Sequence, residues 1–386
     1  MPGHPVVRVS RKGADRILSG HPWVFSSDVT DRGDAQPGDA VQVHDPRGRS
    51  LGTAHYSSTS QITLRLLSRQ NEAIDRDFLA RRLEDALAYR RRIAPGVEAC
   101  RLVHAEGDRL PGLIIDQYRD YLVVQTLDQG MDRLKSEIVA ELERILSPRG
   151  IVERNDVAVR TREQLPLTSG ILSGEVPDRI AVQMNGLAWH ADLLRGPKTG
   201  VFLDQRDNYL AAARYARGRA LDCFTATGGF ALHLSPRCDI IEAIDSSSAT
   251  LDVARGNAAA NHIANVEFRE ADVFDVLPQL RRSYDTIVLD PPAFTKSRHA
   301  VEGAARGYKE INFRALRLLA PGGILVTCSC SHHYSEAMLL ETVAAAALDA
   351  NRTLRVLERR TQSQDHPILL TVPETHYLKC LILEAI

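Results

Sequence analysis

Apolar positions along this chain change their period twice. From the amino end to about residue 70 they come in short runs, Val6–Val9, Ala40–His44, Gly52–His55 and Ile62–Leu67. Gly33, Pro37-Gly38 and Pro46-Arg47-Gly48 separate the runs, a pattern that predicts strands joined by tight turns. Their spacing suits a small β-barrel. Over residues 75–92 the period lengthens toward 3.6. Phe78, Leu79, Leu83, Ala86, Leu87 and Tyr89 mark one helical face, with arginines largely opposite. Strands are then predicted at Arg101–His104, Gly112–Asp116, Tyr121–Thr126 and Gly150–Arg154, with one helix at Asp132–Leu146. Asn185-Gly186 is a strong hairpin signal, joining Ala181–Leu187 to Ala188–Leu193 and leading into the last domain.

Beyond about residue 196 the pattern is regular βαβ. Strands are expected at Ala220–Phe224, Ile240–Ile244, Val266–Glu270, Thr286–Asp290 and Ile324–Thr327. Helices are expected at Gly229–Leu234, Ala249–Asn261, Tyr308–Leu319 (stopped by Pro321-Gly322-Gly323) and Ser335–Asn351. Leu354–Arg359 and Tyr377–Leu383 close a seven-stranded sheet whose last strand is antiparallel. The expected fold class is α/β, in three regions: 1–70, a middle α+β region over 71–195 that includes the connecting hairpin, and 196–386.

Composition adds bounds. The chain has 386 residues, 44% hydrophobic and 25% charged, ordinary for a protein with sizeable cores. No apolar run approaches the roughly 20 residues of a membrane span, and the amino end lacks a signal-peptide apolar region. A cytoplasmic protein without membrane association is expected. The cysteines, Cys100, Cys223, Cys238, Cys328, Cys330 and Cys380, have no framework spacing, as in a reducing compartment. A formal net charge of −1 gives no global sign of nucleic-acid binding. Any RNA surface is therefore local: Arg76, Arg81, Arg82, Arg90, Arg91 and Arg92 crowd one stretch, and Arg8, Arg11, Lys12 and Arg16 another.

Four motifs carry chemistry. In Leu221-Asp222-Cys223-Phe224-Thr225-Ala226-Thr227-Gly228-Gly229-Phe230 a strand runs into a paired-glycine loop and then a helix. Glycines let a ligand approach the backbone, and free amides at the helix start polarise it. The segment resembles the first motif of class I S-adenosylmethionine (SAM) methyltransferases, in which the acid before the loop fixes the amino-acid end of the cofactor. Asp222, Phe224, Thr227 and Gly228 are cofactor candidates on that resemblance; a ligand-free strand–turn–helix is the alternative. Asp245, ending the second strand, is placed to bind a ribose diol or to cap the next helix. Asp272 either accepts from an adenine amino group, with Val273 and Phe274 on the ring, or is a solvated turn acid. Asp290-Pro291-Pro292-Ala293-Phe294 is a turn made rigid by two prolines, holding Asp290 where a base would enter. Amino-directed enzymes carry an aromatic directly after the second proline; here that place is Ala293, and Phe294 either follows in that role or packs under the loop.

The fourth motif is Cys328-Ser329-Cys330-Ser331. Residues 328 and 330 share a face if the strand continues, so one or both thiols point into the crevice. Carbon 5 of cytosine is barely nucleophilic and needs a thiolate added at carbon 6 before it can attack a methyl donor. Asp290 at ring nitrogen 3, if protonated there, would then stabilise the charge building up in the ring. The competing readings are a buried structural cysteine and a zinc site with His332 and His333, whose alternating faces argue against metal. Those histidines are otherwise a thiol-activating group, a base, or exposed helix-start residues.

The whole chain resembles the RlmI-type family of bacterial 23S rRNA methyltransferases. Gly20-His21-Pro22-Trp23-Val24-Phe25 resembles its amino-terminal PUA domain. Val103-His104-Ala105-Glu106, Leu110-Pro111-Gly112-Leu113-Ile114-Ile115-Asp116 and Glu153-Arg154-Asn155-Asp156-Val157-Ala158-Val159-Arg160 resemble its middle domain. Lys198-Thr199-Gly200-Val201-Phe202-Leu203-Asp204-Gln205-Arg206-Asp207-Asn208 resembles the segment entering its Rossmann-like catalytic domain. The resemblance implies SAM as cofactor, Gln205, Arg206 and Asp290 in its pocket beside the residues above, and no metal. It implies 5-methylcytosine formation in 23S rRNA, with Cys330 rather than Cys328 as nucleophile. Ala293 stands where related enzymes place a cysteine that helps product release, and where family members often have lysine, so the releasing base is open. The PUA-like barrel and arginine-rich helix would grip RNA backbone, and the target cytosine would be unpaired or flipped. Trp23 and Phe25 either stack on bases or, as expected, fill the barrel core. A homodimer is left open. Two alternatives remain: methylation of a guanine or other amino group on the same fold, and a non-catalytic RNA-binding assembly factor.

Overall fold

The computed structural model describes residues 4–196, 199–295 and 300–386; Lys198 lies outside the described residues. The chain divides into two compact units. One comprises Met1–Val182, Ala191–Gly200 and Gln364–Thr375, the other Gln183–His190, Val201–Ser363 and His376–Ile386.

In the first unit, among the described residues, six strands form one sheet: β1 (Val6–Val9), β2 (Trp23–Phe25), β3 (Val29–Asp31), β4 (Ala40–His44), β5 (Ser50–Tyr56) and β6 (Ile62–Ser68). Their order is β2-β6-β5-β4-β1-β3, around a core that includes Val7, Val9, Val24, Val41, Val43, Ala54 and Leu64. The sequence predicts only strands here, but helix α1 (Arg11–Leu18) follows β1. It is short and half charged and buries only Gly13, Ala14 and Ile17, so its apolar period is too sparse to read. Ser10 caps it by accepting from the Gly13 amide at 3.1 Å. Trp23 and Phe25 are not core residues, contrary to expectation: strand alternation turns Val24 inward and leaves its neighbours half-buried. The Trp23 indole N–H donates to Glu106 Oε1 at 2.8 Å, and the Arg16 guanidinium lies 4.6 Å from the Phe25 ring centre.

A second sheet in this unit has the order β11-β10-β9-β8-β7, from β7 (Ala99–His104), β8 (Leu113–Tyr118), β9 (Tyr121–Thr126), β10 (Gly150–Arg154) and β11 (Ser169–Gly174). Strand β11 was not anticipated, because its Ser-Gly-rich, largely uncovered residues carry no apolar alternation. Helix α2 (Arg76–Ile93) packs Phe78, Leu79, Leu83 and Leu87 into the core beneath this sheet. Arg90 is an exception to the solvent-facing arginines: it is buried and donates to Asp108 Oδ2 at 2.8 Å and to the Asp365 carbonyl at 2.8 Å. The single helix expected over Asp132–Leu146 is two, α3 (Gln129–Arg133) and α4 (Lys135–Leu146). Asp128 caps the first by accepting from the Met131 amide, so that helix starts earlier, and the chain breaks at Leu134. Hairpin β12 (Ile180–Met184) and β13 (Leu187–Ala191) turns at Asn185 and Gly186, both in the left-handed region (φ 55° and 82°).

The second unit has, among the described residues, a seven-stranded sheet in the order β16-β15-β14-β17-β18-β20-β19. The strands are β14 (Gly218–Cys223), β15 (Cys238–Asp245), β16 (Val266–Glu270), β17 (Tyr284–Leu289), β18 (Leu319–Ser329), β19 (Leu354–Thr361) and β20 (Lys379–Ala385). The first five run parallel; β20 is antiparallel to both β18 and β19. Helices α5 (Arg206–Tyr215), α6 (Gly229–Leu234), α7 (Ser248–Ala260), α8 (Val273–Val276), α9 (Val301–Leu318) and α10 (Glu336–Asp349) connect the strands. Helix α9 begins well before the expected Tyr308, and Pro321-Gly322-Gly323 lies inside β18 instead of after the helix. The pairing there is interrupted: Leu319 lies opposite Tyr284 but Ile324 opposite Thr286, so the Pro-Gly-Gly segment, with Gly322 at φ 73°, forms a bulge. Strand order reverses between β14 and β17, which opens a crevice at their carboxyl ends. No helix among the described residues is long and apolar enough to cross a membrane.

Candidate active site

The crevice floor starts at the end of β14. Beyond Cys223, Phe224 (φ 63°), Ala226 (φ 49°) and Gly228 (φ 89°) are all left-handed, a backbone that two residues with side chains hold only because the surroundings impose it. Asp245, ending β15, imposes part of it: Oδ2 accepts from the Ala226 amide at 2.9 Å and Oδ1 from the Ser247 amide at 2.9 Å. A Cβ at Gly229 would sit 2.4 Å from the Tyr209 ring, so the loop-to-helix junction closes onto α5 only with glycine. Thr227 is buried and its carbonyl accepts from Asn257 at 3.3 Å.

Asp222 is 1% exposed. Its Oδ2 accepts from Thr225 Oγ1 at 2.6 Å and the Ala231 amide at 3.0 Å, while Oδ1, also buried, has no partner among the described residues. Burial pushes its carboxyl up to about 7, with the Asp245 charge adding to the effect. Asp272 caps α8, accepting from the Phe274 amide at 2.8 Å. Val273 is a core residue, whereas Phe274 is exposed, edge-on to Phe224 with ring centres 6.3 Å apart. The two rings make an apolar rim beside the glycine loop.

A second arm comes from the turn before α5. Gln205 is buried; its Nε2 donates to Asp290 Oδ1 at 2.9 Å and its Oε1 accepts from Asn208 at 2.7 Å. Arg206 is also buried, with Nε donating to Asp207 at 3.1 Å. Asp290 follows β17, and its amide donates to the Cys223 carbonyl at 3.3 Å, tying the two central strand ends together. Phe294 packs under the loop against Tyr308, with ring centres 4.6 Å apart.

The two thiols of the fourth motif part company. Strand β18 ends at Ser329, so the chain turns off the sheet just where Cys330 sits. Cys328 is fully buried opposite Cys380, and burial pushes its thiol far above the usual range. Cys330 is half-buried, with Sγ 3.9 Å from the Pro291 carbonyl oxygen. The geometry thus joins Gln205 to Asp290, leaves Cys330 beside the next carbonyl, that of Pro291, puts the buried Cys328 within reach of Gln205 and the Asp290 charge, and sets Asp222 and Asp245 around the neighbouring loop. His332 and His333 are exposed, the former stacked on Tyr377.

Sequence reasoning missed what frames the thiol. Ser329 Oγ and Ser331 Oγ lie 2.8 and 3.0 Å from the Tyr308 hydroxyl, pinning the chain on both sides of Cys330. Burial pushes Tyr308 up to about 12, so it stays a neutral phenol. Lys379 is 1% exposed and donates to the Ser331 carbonyl at 2.7 Å and the Tyr377 carbonyl at 2.8 Å. Its one sequence signal is a lysine opening the apolar run Cys380-Leu381-Ile382-Leu383.

Residues 150–382 match the family of S-adenosylmethionine-dependent methyltransferases, and residues 7–69 match a PUA-like domain. The chain belongs to this methyltransferase family. Ribosomal RNA large subunit methyltransferase I of Tolumonas auensis is 41% identical over 96% of both chains, and that of Shewanella amazonensis 43% identical over 94% of both. A SAM-dependent methyltransferase structure from Streptococcus mutans shares the fold, with a TM-score of 0.85 at 21% identity over 98% of this chain and 100% of that one. A second structure of the same fold, a methyltransferase complexed with SAH, matches with the same score at 20% identity.

The residues of this methyltransferase fit the cofactor. The unpartnered Asp222 oxygen is a buried acceptor, which costs roughly 1–3 kcal/mol while unmet and suits the cationic amino group of SAM. The titration of Asp222 gives a test. With its value raised from 3.8 to about 7, the native state holds a proton that the unfolded chain releases. Stability of the ligand-free protein therefore falls as pH rises through that window. A bound cation favours the ionised carboxylate, so SAM affinity is expected to drop by up to about tenfold per pH unit below 7. Asp222→Asn should flatten that profile; calorimetry across the pH range checks it, and an unchanged slope refutes the assignment.

Proposed function

We propose that this methyltransferase forms 5-methylcytosine in large-subunit ribosomal RNA through a covalent bond between Cys330 and cytosine carbon 6. The names of its relatives support the RNA class. One observation supports the chemistry: of two neighbouring thiols, Cys328 is buried within its strand, while Cys330, just past the strand end, is half-buried beside the Pro291 carbonyl. A methyltransferase directed at an amino group needs no such thiol.

The Cys330 thiolate adds to carbon 6, and the electron pair released into the ring makes carbon 5 nucleophilic. Asp290 in its protonated form, oriented by Gln205, donates that proton to ring nitrogen 3 and so stabilises the negative charge that develops there, taking the proton back when the ring is restored. SAM, when bound, supplies the electrophilic methyl group. Loss of the carbon 5 proton to a base then expels the Cys330 thiolate and restores the ring. Asp222, Phe224, Thr227, Gly228, Asp245 and Asp272 hold the cofactor in this reading, with Gln205, Arg206 and Asp290 closing its pocket. Residues 1–70 and the arginine-rich helix of the middle region 71–195 serve RNA binding, and 196–386 the chemistry. The target is an unpaired or flipped cytosine, since a floor-level thiol cannot reach a stacked base, and the site of action is the cytoplasm.

RNA carrying 5-fluorocytosine tests the reading, because fluorine cannot leave as the proton does. Wild type is expected to form an SDS-stable adduct with this RNA and SAM, and Cys330→Ala none. Methylation of unmodified RNA on an amino group, with no adduct, would replace this reading by the amino-directed one.

A further inference from the structure

Lys379 is an unusual residue for its position. Lysine is almost never fully buried unless paired, yet this side chain is 1% exposed at the start of an interior strand. Its known partners are neutral carbonyls, Ser331 O at 2.7 Å and Tyr377 O at 2.8 Å. Carbonyls orient an ammonium but do not neutralise it, and an ammonium has three protons to give. Ser331 is the residue after Cys330, and Lys379 lies opposite Ser329 in the β18–β20 register, the residue before it. The ammonium therefore holds the residue after the candidate nucleophile, while the backbone of Lys379 pairs with the residue before it.

We infer that Lys379 is a positioning residue whose ammonium holds Cys330 as a thiolate, the thiol proton passing to solvent. The inference rests on the covalent reading of the site. A thiol is lowered by a nearby cation, and the reaction needs the thiolate before the base arrives. Burial lowers Lys379 to about 8, a shift that the Cys330 charge and the Glu336 carboxylate oppose, so the ammonium persists at neutral pH. The other groups facing the pair leave Lys379 as the cation that acts. Tyr308 on α9 feels the Cys330 charge but stays neutral. His376 is lowered by burial and by Lys379 itself, so it too is neutral near pH 7. Glu336 on α10 pairs with Arg359.

Alkylation reads the thiolate without RNA. All six cysteines except Cys330 are buried, so iodoacetamide, followed by peptide mass spectrometry, reports on this one sulfur. In wild type the rate is expected to reach half its plateau well below the ordinary thiol value of about 8.5. Lys379→Met is expected to slow alkylation at pH 7 about tenfold or more and to move the midpoint up, and Lys379→Arg to bring it back. SAM calorimetry on each variant checks folding. An unmoved midpoint in folded Lys379→Met overturns the inference. A wild-type midpoint at or above about 8.5 overturns it too, and needs no variant. The two proposals separate cleanly: a low midpoint without a 5-fluorocytosine adduct sinks the covalent function and leaves the ion pair standing. An adduct from an enzyme with an ordinary midpoint sinks the ion pair alone.

Discussion

Replacing Cys330 by alanine is expected to lower kcat for cytosine methylation by about four orders of magnitude or more, because the step that activates carbon 5 is lost outright. SAM affinity should be unchanged, since Cys330 is not among the residues proposed to hold the cofactor and its sulfur lies beside the Pro291 carbonyl. Cys328→Ala supplies the contrast. That sulfur is sealed against Cys380, so its loss is expected to leave kcat within about tenfold and to lower stability by on the order of 1 kcal/mol, as deletion of a small buried group does. Single-turnover assays with labelled methyl donor measure both. A Cys330→Ala enzyme that still turns over at a comparable rate would remove the covalent route.

The second large effect concerns Asp290. Asp290→Asn keeps the shape and an oxygen for the Gln205 amide, which donates at 2.9 Å in the parent. It loses the carboxyl that meets ring nitrogen 3. Loss of one preorganised group aimed at developing charge costs about 10²–10³ in kcat. The expected split is a fall of that size in kcat with KM for RNA nearly unchanged. A large rise in KM with normal kcat would instead make Asp290 a ground-state binding group. Gln205→Ala should move kcat in the same direction by less, since the carboxyl remains but is no longer held.

Much of the catalytic unit was legible because buried parallel strands read as continuous apolar runs. Ile324–Thr327 falls within the buried β18; the edge strand Val266–Glu270 is read instead from its alternation and has the expected bounds, and β20 is antiparallel as expected. Helix α1 was invisible for the opposite reason: eight residues with a sparse apolar face give periodicity nothing to register. The bulge at Pro321-Gly322-Gly323 reads like a stop because proline and glycine interrupt helices and strands alike. Of the site, the sequence order carried Asp222, Asp245, Asp290 and Cys330, each at the end of a strand or next to one. It did not carry which thiol is reachable, since that depends on β18 ending at Ser329. Nor did it carry Lys379, because the β18–β20 register brings that residue beside Cys330 from a distant stretch of chain.

The position of β20 also bears on how the enzyme comes into being. Residues 379–385 are hydrogen-bonded on both sides, between β18 and β19, so they fill an internal slot that earlier-made strands leave vacant. A nascent chain translated only as far as residue 361 holds Cys330 and the whole glycine loop but has a gap in the middle of its sheet. Closing such a gap requires a long-range pairing, which is slow. Activity should therefore arise abruptly, once residues 379–385 have been made and have entered the sheet.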